Sequence, residues 1–228
     1  IYLDPKKDPF SSSLNSQCQN TCDSKIGNTN YDIGHVVQKG GDNGSAGCIG
    51  CVCKSGSKGS GFSTYSKPDL LDPFVIDYWT HEMGHQFGAN HTYTYSNEGS
   101  GANLEPGSGS TIMGYAGITG STDVQDHSDD YFHAASIAQV TNYIKTGFGN
   151  TCGAVTESSN PAPVVSQAKN YTIPKSTPFE LKGRASDEND GNSALTYMWE
   201  QIDQYVSGKS NTFPKATSKE GPLFRSIK

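Results

Sequence analysis

Apolar and polar residues alternate over residues 31–38, Tyr-Asp-Ile-Gly-His-Val-Val-Gln. That period of two predicts a half-buried strand. Residues 40–61, rich in Gly and Cys, break the pattern and read as loop or irregular edge. Leu70-Leu71-Asp72-Pro73 then supplies a helix start, an acid followed by a proline that the first helical turn tolerates. Over residues 74–87 apolar positions recur at helical spacing, and Gly88 is a natural stop. A polar loop rich in Gly and Ser covers 92–110. Ser128-Asp129-Asp130 predicts a capped second helix running to about Lys145, because a hydroxyl and carboxylates satisfy the first amides and the helix dipole. Phe132, Ser136, Val140 and Ile144 form one stripe on it, so it packs against the body.

The pattern changes again near Gly153. Residues 154–163 carry the Ser, Pro and Asn content of a linker. Short strand-like runs follow at 164–166, 171–173, 179–182 and 194–201, separated by turn signals such as Asp187-Glu188-Asn189-Asp190-Gly191. Runs so spaced suggest a β-sandwich over 164–228, with Trp199 as a core anchor. Asp187, Asn189 and Asp190 are either ligands for a structural calcium ion or a plain acidic turn. The expected organisation is therefore a domain at 1–153, a linker at 154–163 and a module at 164–228. Ile1-Tyr2-Leu3 reads as a strand running into a turn, and residues 221–226 read as mid-domain sequence. The first domain is thus expected to lack its N-terminal part and the second its C-terminal part.

Composition narrows the function. Only 33% of the 228 residues are hydrophobic and 26 are Gly, a lean and loop-rich chain whose 12 Tyr, 9 Phe and 2 Trp still suffice for cores. No apolar run approaches the ~18 residues that would cross a bilayer. With 23 acidic against 17 basic residues and a net charge of -6, nucleic acid is not an expected partner. The cysteines are Cys18, Cys22, Cys48, Cys51, Cys53 and Cys152. Their even number and Gly/Ser-rich surroundings favour disulfides and an extracellular location; a thiolate zinc site would want a second clean C-x2-C pair.

The chemistry concentrates at His81-Glu82-Met83-Gly84-His85-Gln86-Phe87-Gly88-Ala89-Asn90-His91, a complete H-E-x-x-H-x-x-G-x-x-H. Chance would produce it with an expectation of about 10⁻⁵ in a chain this long. His81 and His85, four apart on a helix, project from one face as two imidazoles on one zinc require. Gly88 lets the chain turn sharply and bring His91 round as a third ligand. Three imidazoles leave a fourth position open for water, the arrangement of a catalytic zinc. Glu82 lies beside them as general base. His35, mid-strand, is expected to be structural, and His127 and His133 to belong to a solvated helix start.

Thr111-Ile112-Met113-Gly114-Tyr115 follows after the polar loop. With this second feature the sequence resembles the metzincin zinc endopeptidases, and Tyr31-Asp32-Ile33-Gly34-His35-Val36 is similar to a strand of the reprolysin (adamalysin)-like group and its secreted bacterial relatives. The resemblance covers about residues 1–152. It implies an α/β, zincin-like domain with a twisted mixed sheet and an active-site helix, and a pro-segment or further N-terminal segment of the same precursor. It implies one catalytic Zn2+ on His81, His85 and His91, with Met113 as the floor beneath them. Tyr115 either reaches the zinc or the oxyanion, as in astacin-like members, or packs structurally. The implied reaction is hydrolysis of peptide bonds in extended protein substrates by a zinc-bound water that Glu82 activates, along an exposed strand edge placed near residues 47–54. The resemblance also ties Cys152 to a cysteine before the active-site helix, Cys53 or Cys51, with Cys53 fitting better. The sandwich resembles immunoglobulin or PKD modules. Thr92, where adamalysins carry Asp, leaves a pappalysin-like assignment open. A catalytically silent adhesion protein on the same scaffold is the competing class, and retention of Glu82 with all three histidines argues against it.

Overall fold

A computed structural model describes residues 4, 6–67, 71–166, 169–191, 194–204, 214–215 and 217–225. The expected first strand at residues 1–3 lies outside them. Two compact units emerge, one of Ile1–Gly153 with Gln201–Arg225 and one built on Ala154–Glu200.

The first unit is mixed α/β. Helix α1 (Leu14–Thr21), extended by π-helical turns at Cys22–Ile26, packs on a three-stranded sheet. The sheet order is β1 (His35–Lys39), β3 (Gly61–Tyr65), β2 (Asn43–Ser45). β1 runs parallel to β3, with His35 opposite Gly61, and β2 runs antiparallel to β3, with Gly44 opposite Ser63. With β3 in the middle, β1 and the short β2 are both edge strands among the described residues. The family resemblance places the substrate-binding edge instead near 47–54, but those residues form turns. Their amides are spent elsewhere: Gly50 N donates to His85 O, and Cys51 N and Val52 N donate to Gln86 O. They thereby satisfy carbonyls that a helix end leaves without partners.

The helical run begins at α2 (Leu71–Pro73), widens into π-helical turns at Phe74–Thr80, and tightens into α3 (His81–Gln86). Such widened turns are frequent at functional sites. Gln86, fully buried at the end of α3, ties it to the sheet by donating Nε2 to Gly34 O at 3.0 Å. His35 uses both ring nitrogens structurally, 2.8 Å from Gln86 Oε1 and 2.9 Å from Ser63 Oγ.

The second helix, α4 (Ala134–Lys145), starts later than the sequence suggests. Its cap is the buried His133, which accepts from Ala135 N, rather than Ser128-Asp129-Asp130. The reason is competition for backbone groups: Asp129 N donates to Ser110 O, and Tyr131 O accepts from Ile112 N. That pairing holds the segment extended against the turn that contains Met113.

The apolar core here is small, Ala89, Ile112 and Met113 with Ile76, Phe132 and Val140 against it. Much of the interior is instead hydrogen-bonded polar side chain, including Gln19, Ser63, Gln86, Thr92 and Glu105, as a chain only 33% hydrophobic requires. Cys53–Cys152 is a disulfide with Cα atoms 5.4 Å apart, and Cys48–Cys51 is another. Cys18 and Cys22 are thiols, hydrogen-bonded to each other, and burial pushes the Cys18 thiol up to about 12.

The second unit pairs β4 (Val164–Val165) with β5 (Ala185–Ser186), antiparallel. Two strands of two residues enclose little, and Trp199 is 44% exposed there rather than a core anchor. Asp187 Oδ1 accepts from Asn189 N and Asp190 N, an Asx-type turn. No helix among the described residues is long and apolar enough to cross a membrane.

Candidate metal centre

α3 places His81 and His85 one turn apart with ring centroids separated by 4.8 Å. Gly88 then adopts φ 99°, a left-handed conformation open to glycine, while its α-carbon faces the ring of Tyr143. The chain reverses and returns His91 to within 2.9 Å of His85, Nε2 to Nε2. One nitrogen from each of the three rings lies within 4.8 Å of the others. Among the described residues this is the single group of three or more His, Cys, Asp or Glu drawn together closely enough to hold a metal. His127 instead pairs with Asp77 at 2.7 Å.

The donor chemistry fits zinc. His81 Nδ1 donates to Ile112 O at 2.7 Å, and His85 Nδ1 to Ala89 O at 2.8 Å. Each bond fixes the tautomer that leaves the Nε2 lone pair facing the cluster. Burial, followed by the neighbouring rings, holds His81 well below the usual histidine range and brings His85 to about 4. Burial lowers His91 as well, partly offset by Glu98. All three are thus neutral imidazoles near pH 7, the form that ligates.

Glu98 and Glu105, both in the polar loop after His91, were not singled out by the sequence pattern. Glu98 accepts from His91 Nδ1 at 2.9 Å, and Tyr93 Oη donates to the same carboxylate at 2.5 Å. Glu105, 2% exposed, accepts from Ser110 N, Thr111 N and the hydroxyls of Thr92 and Thr111. It thereby joins the residue after His91 to the turn before Met113. The one available signal was an acid in the loop just beyond the third histidine.

Met113 is fully buried, and its carbonyl accepts from Thr92 N. Tyr115 lies against His81 and His91, centroids 5.5 and 4.5 Å away, and burial raises its phenol to about 12. Glu82 sits on the rim of the cluster, 9% exposed, accepting a hydrogen bond from the Ala46 amide. Burial raises its carboxyl to about 7. Gly44 of β2 passes so close that a methyl group there would come 2.6 Å from Glu82 Oε1. The edge strand and the candidate base therefore meet directly.

The family model for metallo-peptidase family M12B, reprolysin-like, matches residues 1–144, the stretch that holds the whole centre. No curated protein and no solved structure matches the chain significantly. The matched stretch exceeds half of the 228 residues, and it carries a three-histidine cluster whose chemistry suits zinc. The chain therefore belongs to the reprolysin-like M12B metallopeptidases.

Proposed function

We propose that the protein is a secreted zinc endopeptidase that hydrolyses extended protein substrates, with His81, His85 and His91 holding the metal. The observation that carries this reading is the buried, neutral imidazole cluster with Glu82 at its rim. Bound zinc would supply Lewis acidity, polarising a substrate carbonyl and making a water more acidic. Glu82, at the rim of the cluster, takes the proton of the attacking water and passes it to the leaving amine. Tyr115, which keeps its phenolic proton at neutral pH, donates to the charge that develops on the carbonyl oxygen. Met113 packs beneath the rings and fixes their floor. The edge strand β2, beside Glu82, receives the substrate backbone as an added strand. The two disulfides support the extracellular assignment. The sandwich reading of residues 164–228 rests on their strand-like runs and turn signals.

Replacing Glu82 by Gln is the decisive experiment. Zinc stoichiometry should stay at one per chain while cleavage of a peptide library drops to a few per cent or less. Substantial residual proteolysis would show that another group is the base.

A further inference from the structure

The groove at Glu82 has two halves that share Gly44, Glu82 and Tyr115. One half, a cleft of about 420 Å³, starts at His81 and Glu82 and runs away from His91. This is within the range of sites that hold a small molecule or a large side chain. Its walls include Tyr65 and Tyr78, with ring centroids 5.3 Å apart. Asp42, Asp77 and Asp126 line it, and among the described residues no Lys or Arg does.

Two of these carboxylates are held in place. Asp77 accepts from His127 Nδ1 at 2.7 Å and from Ser128 N at 2.8 Å. Asp42 accepts from Ser66 N at 2.7 Å. That amide keeps the Asp42 carboxyl below its ordinary range. Among the described residues the cations nearby are Lys67, close to Asp42, and Arg225, engaged with Val124 O and Gln125 Oε1. Neither lines the cleft. Two histidines also line it among the described residues, His81 of the metal cluster and His127, which is paired to Asp77.

Resting on the peptidase reading above, we propose that this cleft receives the side chain of a Lys or Arg next to the scissile bond, so that the protein cleaves selectively beside basic residues. The aliphatic stem of such a residue lies along the tyrosine rings, which also attract its cationic head. The head reaches carboxylates that no lysine or arginine among the described lining residues neutralises. An apolar side chain in the same place would strip water from those carboxylates and offer them nothing, which selects against it. An acidic one would be repelled. The selectivity therefore follows from the cleft's charge and from its position directly beside Glu82.

The test has two arms. The zinc-loaded full chain is given a proteome-derived peptide library, and the residues flanking each cut are counted. Lys and Arg should be enriched several-fold at one flanking position. Asp42→Asn and Asp126→Asn should each lower the ratio of basic to neutral residues there, and Asp126→Lys should shift it toward Asp and Glu. In the second arm, the Glu82→Gln chain binds labelled peptides that differ only in Lys against norleucine. The Lys peptide should bind about tenfold more tightly or better, with the advantage shrinking at high salt. Cleavage without basic enrichment, or enrichment that survives all three aspartate variants, overturns the proposal and leaves the peptidase reading standing. Complete absence of cleavage by the wild-type chain overturns both.

Discussion

At His91 the ring nitrogen that faces away from the other two histidines meets Glu98 at 2.9 Å, and Tyr93 adds a hydroxyl to the same carboxylate. A carboxylate behind a metal-ligating imidazole orients the ring and strengthens it as a donor, and losing it typically costs 10–100-fold in metal affinity. Glu98→Gln should accordingly weaken zinc by about that factor in chelator competition; an unchanged affinity would show that Gly88 alone positions His91. His35 gives a different kind of expectation, because it is half-buried and bonded to Gln86 and Ser63, apart from the three-histidine cluster. Burial lowers its pKa in the folded chain, so the unfolded chain takes up the proton first as pH falls. The stability it confers is present above its unfolded value of about 6.5 and is lost as pH falls from there toward the folded value. His81, His85 and His91 act with the same sign in metal-free protein. Removing His35 as His35→Gln should thus make the urea midpoint of the metal-free protein fall less steeply between pH 7 and 5, and an unaltered slope would sink this account.

Elements that carry a local period were legible in the sequence. The four-residue spacing of His81 and His85 is helix geometry and needs no tertiary information, and Gly88 announces the turn that returns His91. The core of β1 follows from its alternation, although the strand is His35–Lys39 and not all of 31–38. What the period could not show is where backbone groups are claimed from a distance. Residues 128–132 have the composition of a helix start, yet the segment beside Met113 takes their amides and carbonyls and delays α4 to Ala134. Gly50, Cys51 and Val52 likewise surrender their amides to the end of α3, which leaves Asn43–Ser45 as the edge strand beside Glu82. Glu98, Glu105, Asp42 and Asp126 stand in loops with no period at all, and Asp77 lies on the helical run, so only folding brings them to one site. For the same reason the glycine of β2 became meaningful only once Glu82 was seen packed against it.

Across the whole first unit, the longest covalent tie is Cys53–Cys152, closing 99 residues of sequence from the turns before the helical run to the end of α4. Everything between them, including β3, the metal centre and α4, lies inside that loop. In the chain-entropy model, a crosslink closing about 100 residues destabilises the unfolded state by up to ~4.7 kcal/mol. By the same relation Cys48–Cys51, separated by three residues, contributes roughly 2 kcal/mol. A unit of this size loses about 2–4 °C of Tm per kcal/mol. The variant lacking both Cys53 and Cys152 as serines should therefore melt roughly 10 °C or more below the wild type in metal-free calorimetry. The corresponding Cys48/Cys51 serine variant should lose clearly less. Its main effect belongs instead to the turns that satisfy the carbonyls of His85 and Gln86, and so to zinc affinity. Equal or reversed Tm losses would mean that the long bridge stabilises through contacts in the folded state and not by restricting the unfolded chain.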